Sequence, residues 1–133
     1  MVDEIDGLKK NATRIFVLFL VLNVLAIAVA FTGSTRTLYY FIAIGGLAAF
    51  VSAFSFFRVK VATNTKSLGR AAMQGLWINC SMAIGYFLAA PAPYFSSSPA
   101  VWGVGITVGA VAVIVSVLML FRVRKITGVP LSI

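Results

Sequence analysis

The segment Phe57-Arg58-Val59-Lys60 returns near the other end of the chain as Phe121-Arg122-Val123-Arg124, and each copy closes a long apolar run and opens a basic segment. A boundary of this kind marks where an apolar helix meets water. Two of them at matching places imply that the second half of the chain repeats the first.

The apolar runs are too much for a water-soluble core. Of the 133 residues, 61% are hydrophobic and 11% charged, against about 45–50% and about 25% in soluble domains. A spanning helix needs about 20 apolar residues, and four such windows fit, at about 15–31, 38–57, 71–90 and 100–121. The reading is an all-α integral membrane protein with four transmembrane helices arranged as two similar, parallel-repeat helical hairpins. Residues 1–14 form an N-terminal segment, 15–121 the transmembrane domain, and 122–133 a basic tail. All three carboxylates, Asp3, Glu4 and Asp6, lie in the first segment, which reads as an interfacial helix or a tail. Because acidic residues precede the basic ones, the first run reads as a retained helix and not as a cleavable leader.

Orientation follows from the basic residues. Lys9, Lys10 and Arg14 precede the first span, Arg58, Lys60, Lys66 and Arg70 fall in the central loop, and Arg122, Arg124 and Lys125 follow the last span. On the other side stands Arg36 alone. Ten against one is a strong positive-inside bias, so both termini are expected in the cytoplasm of a cell membrane or an equivalent energy-transducing membrane. Clustering at span ends also accounts for the net charge of +8 without a nucleic-acid partner. Arg58, Lys60, Lys66, Arg70, Arg122, Arg124 and Lys125 can also grip anionic lipid headgroups, at about 1 kcal/mol each near the surface.

The connections differ. Thr32 to Thr37 is a tight polar turn, in which Gly33 can take positive φ and the hydroxyl residues can cap the next helix. Residues 91–99 contain three prolines and cannot continue a helix.

The repeat can be aligned residue by residue. An offset of 56 places Lys10 on Lys66, Arg14 on Arg70, Asn23 on Asn79 and Phe31 on Phe87. An offset of 64 places Gly45 on Gly109, Ala48 on Ala112, Ser52 on Ser116 and Phe57 on Phe121. Lipid gives no hydrophobic drive between helices, so close packing must come from small residues and buried polar contacts. Gly45, Ala49 and Ala53 on the second span, and Gly105 and Gly109 on the fourth, are the expected packing stripes. Asn23 and Asn79 are expected at similar depths, able to hydrogen-bond across the bundle. Gln74, Asn79 and Ser81 make the third span the most polar. They can glue the bundle or line a polar path.

Chemistry has little to stand on. The chain contains no histidine and one cysteine, Cys80. No Ser/His/Asp set, metal cluster or glycine-rich phosphate loop can be assembled from it. No carboxylate lies in any span, whereas proton-coupled carriers place an ionisable residue near the midplane. The expectation is a non-catalytic accessory subunit of a larger membrane complex, in the style of small subunits of respiratory, photosynthetic or membrane monooxygenase assemblies. It needs no cofactor and has membrane lipids and other subunits as partners. The competing class is a small homo-oligomeric transporter or channel built from the duplicated hairpin, and a third is a lipid-binding, membrane-shaping protein.

Overall fold

A computed structural model of the chain describes residues 2–89 and 99–128, with side chains from residue 5 onward. The described residues form four helices: α1 (Val2–Ala30), α2 (Thr35–Lys60), α3 (Thr65–Ala89) and α4 (Pro99–Thr127). α1 packs mainly on α2, α3 on α4, α2 on α3 and α4 on α1, with only a slight α1–α3 contact across the diagonal. The result is an up-down-up-down ring of two hairpins. α1, α2 and α4 are long and apolar enough to cross a membrane. α3 is of similar length but falls short of that apolarity, because Lys66, Ser67, Arg70, Gln74 and Asn79 dilute it. The chain is therefore a membrane-embedded helical protein.

The helices extend past the apolar windows. The N-terminal segment continues into the first span without a break, the central loop shrinks to residues 61–64, and α4 continues to Thr127. The reason is that charge ends an apolar window but not a helix. Lysine and arginine have good helix propensity, and their long stems reach water from an interfacial turn. Twenty-nine residues make a rod of about 43 Å against a hydrocarbon core of about 30 Å. The extra turns are packed: Leu8 and Ala12 of α1 join Val59, Leu68 and Val123 in one buried cluster. A second cluster, around Phe41, Tyr86 and Val101, fills the opposite end.

The ends of the helices are held by local chemistry. Ser34 caps α2, accepting from the Thr37 amide at 3.2 Å. Asn64 caps α3, its side-chain oxygen accepting from the Ser67 amide at 2.8 Å. Gly128, at φ 72°, closes α4 as a left-handed C-terminal glycine does. Gly33 does not take positive φ. Its value lies in its missing side chain, since a Cβ there would stand 3.2 Å from Val101 Cγ2. Lys9 Nζ donates to the Ala62 carbonyl at 3.2 Å and ties α1 to the loop between α2 and α3.

Burial repeats with the sequence. The buried positions of α2 are Thr37, Phe41, Gly45, Ala48, Ser52, Ser55 and Val59. Advanced by 64 they become Val101, Gly105, Gly109, Ala112, Ser116, Met119 and Val123, and every one of these is buried. On α1, Ala12, Phe16, Phe19, Asn23 and Ala30 map by 56 onto Leu68, Ala72, Gly75, Asn79 and Tyr86, all buried. Leu8 and Ala26 are the exceptions, mapping onto the less buried Asn64 and Met82. Steps of three and four residues along one face are the seam spacing of antiparallel bundles.

Candidate functional site

Two groups of residues carry polar chemistry: a buried set in the bundle and a basic set at one end.

In the buried set, each asparagine first satisfies its own helix. Asn23 Nδ2 donates to the Phe19 carbonyl and Asn79 Nδ2 to the Gly75 carbonyl, both at 2.8 Å. Each amide oxygen then accepts from a hydroxyl on another helix. Tyr86 donates to Asn23 Oδ1 at 3.0 Å, linking α3 to α1. The Ser52 hydroxyl lies 3.0 Å from Asn79 Oδ1 and 2.7 Å from the Ala48 carbonyl, linking α2 to α3 and sharing its one proton between two acceptors. The two asparagines thus do hydrogen-bond across helices, but with hydroxyls and not with one another. The repeat mate of the Ser52–Asn79 pair would be Ser116–Asn23. Tyr86 has taken Asn23, and Ser116 Oγ is buried with no hydrogen-bond partner. Tyr86 is what breaks the symmetry, since its counterpart in the first hairpin is Ala30.

Small residues let this network close. A Cβ on Gly45 would stand 3.1 Å from both Ile27 and the Tyr86 hydroxyl, and one on Gly109 would stand 3.1 Å from the Ala83 carbonyl. Gly75 is tighter still, facing the Phe16 ring at 2.7 Å and the Ser55 hydroxyl. Gly105 is buried as expected, while Ala49 and Ala53 are only half-buried and the seam of α2 runs through Ala48 and Ser52. Gln74 and Ser81 are exposed on the outside of the bundle. Ser81 bonds back to the Trp77 carbonyl, and Gln74 accepts from Arg58.

Comparison with protein-family models, with curated proteins and with solved structures finds no match.

The basic set gathers where α1 begins, α2 ends, α3 begins and α4 ends. Lys60, Arg122, Arg124 and Lys125 are exposed, and Lys60 sits over the Phe56 ring at 5.6 Å. Half-buried Arg58 and the exposed Lys66 and Arg70 line one open cleft of about 350 Å³, together with Asn64 and Ser67. A neighbouring cleft, between Lys9, Asp6 and the loop at 62–65, contains its own carboxylate. At the opposite end the exposed aromatics Phe31, Tyr39 and Trp102 form a belt, as aromatic side chains do at the membrane–water interface. Among the described residues, no three of the histidine, cysteine, aspartate and glutamate type come together as a metal would require. The repeat sets Asn23 and Asn79 at matching places. The parts of Tyr86 and Ser52 carry no sequence signal beyond the offset that pairs Ser52 with Ser116. The proline-rich connection, apart from Pro99 at the first turn of α4, lies outside the described residues.

Proposed function

We propose that this protein is a non-catalytic accessory subunit of a larger membrane assembly, with both termini on the cytoplasmic side. The observation that carries the reading is the use made of the polar side chains in the bundle. Asn23, Asn79 and Ser52 are buried and engaged with one another's helices, which spends them on cohesion and leaves them unavailable to a permeating solute. The remaining candidates, Gln74 and Ser81, face outward. What the bundle offers its surroundings is a set of broad apolar faces, including Leu47 and Phe50 on the outside of α2 and Ile114, Leu118 and Phe121 on one side of α4. Such faces suit packing against other apolar helices. Orientation rests on the ten-to-one distribution of basic residues.

A photo-reactive side chain placed at Phe50 on α2, and separately at Leu118 on α4, tests the reading in native membranes. Both positions are exposed. A discrete adduct with a different polypeptide from at least one position is the expected result. Adducts with lipid or with a second copy alone, from both positions, contradict it.

A second reading, a small homo-oligomeric transporter, is favoured by the duplicated hairpin and the unpaired Ser116. The two readings separate on Asn79→Leu. A carrier loses flux while its oligomer persists, whereas an accessory subunit loses assembly.

A further inference from the structure

We propose that the cleft between the end of α2 and the start of α3 binds a phosphate group, presented at that depth by an anionic membrane lipid. Three cationic side chains, Arg58, Lys66 and Arg70, line it with Asn64 and Ser67, and no carboxylate among the described side chains does. Like charges gathered in one cleft repel one another, and a bound anion turns that repulsion into attraction. The arrangement is also ordered in advance. The Arg58 guanidinium lies over the Phe54 ring, 5.9 Å from its centroid, and donates through Nη1 to Gln74 Oε1. A planar guanidinium fixed on two sides keeps its remaining N–H groups for paired hydrogen bonds to phosphate oxygens. The start of α3 adds the positive end of its helix dipole, with Asn64 as its cap.

Position selects lipid as the source. The cleft is at the end of two membrane helices, beside the exposed Phe54 and Phe57 and the outward-facing Ile78. A headgroup phosphate in the cleft leaves its acyl chains against these apolar residues. The contrast with the rest of the basic set matters. Arg122 and Arg124 stand at the same end of the bundle but line neither of the clefts described above, so they supply general charge without a built site.

The test uses the full-length protein in nanodiscs of phosphatidylcholine containing a minor fraction of phosphatidylglycerol, with retained lipid read by native mass spectrometry. Arg58→Gln with Arg70→Gln is expected to lower selective retention of phosphatidylglycerol about ten-fold more than Arg122→Gln with Arg124→Gln, which removes the same charge from the same end and loses only the diffuse attraction of about 1 kcal/mol per residue. Arg58→Lys with Arg70→Lys keeps every charge, and with it the topology signal, but loses the paired geometry. It is expected to retain less than the unaltered protein, and it carries the test if the glutamine variant does not fold. Equal losses in the two glutamine variants overturn the proposal in favour of diffuse electrostatics, and so does full retention in the cleft variants. A parallel arm adds inorganic phosphate to the protein in pure phosphatidylcholine. Arginine-dependent binding there, without arginine-dependent lipid retention, keeps the phosphate site but removes lipid as its source. Absence of both removes the site.

Discussion

Ser52 and Ser116 occupy matching places in the two hairpins and are both fully buried, yet only Ser52 has partners: Asn79 Oδ1 at 3.0 Å and the Ala48 carbonyl at 2.7 Å. The same side chain at the same place in a repeated unit therefore does opposite things for stability. A buried hydroxyl with a partner returns a modest gain, and one without a partner costs its desolvation.

Ser52→Ala is accordingly expected to destabilise the bundle by about 0.6–1.7 kcal/mol, the range for interhelical hydrogen bonds in membranes. Ser116→Ala is expected to be neutral or stabilising by up to about 1 kcal/mol. Reversible unfolding in mixed micelles measures both. A loss at Ser116 as large as the loss at Ser52 would show that its hydroxyl has a partner after all.

The Tyr86–Asn23 bond is expected to couple the two residues. Tyr86→Phe keeps the edge-on contact with Phe41, whose ring centroid lies 5.2 Å away, and removes only the donor. Asn23→Leu removes the acceptor and strands the tyrosine hydroxyl. Each single variant should lose stability. The double variant should lose less than the two together by about 0.6–1.7 kcal/mol, a difference that a double-mutant cycle reads directly. Strict additivity would mean that the bond contributes nothing.

Glycines on the bundle sort by what surrounds them. Gly75→Ala is expected to cost about 1–3 kcal/mol as overpacking, because the Phe16 ring stands 2.7 Å from the added carbon. A Cβ on Gly46 or Gly103 meets nothing within 4 Å, so alanine there should be neutral or gain up to about 1 kcal/mol of helix propensity. Thermal unfolding of the three variants in one detergent ranks them. An unchanged Gly75→Ala protein would mean that α3 does not approach α1 and α2 as closely as described.

Much of this architecture could be read from residue order alone. The repeat of Phe57-Arg58-Val59 in Phe121-Arg122-Val123 marks where two apolar runs end, and the offset of 64 carries the whole buried stripe of α2 onto α4. Helix ends were less legible. Lys9, Arg58 and Lys66 lower apolarity without ending a helix, so α1 begins earlier and the central loop is shorter than hydropathy suggests. The packing face of α2 runs through Ala48 and Ser52, one position before the Ala49 and Ala53 of the small-residue stripe. Small residues are frequent all round this helix, and a stripe of them at every fourth place drifts off a seam that steps by four and three. The polar partners were hidden because they depend on rotation and register between helices. Nothing in the order of residues says that Tyr86, and not Ser116, reaches Asn23. Gln74 is one of the polar residues that set α3 apart in the sequence, but its position on the outer face gives it to Arg58.

The account's central claim, that this bundle serves as a part of something larger, is tested most directly by isolating the protein from its native membrane in mild detergent and measuring the mass and composition of the particle. The expected result is a particle in which the 14.2 kDa chain travels in fixed ratio with larger, different subunits. A particle containing only copies of this chain and lipid would contradict the claim and give the lead to the transporter.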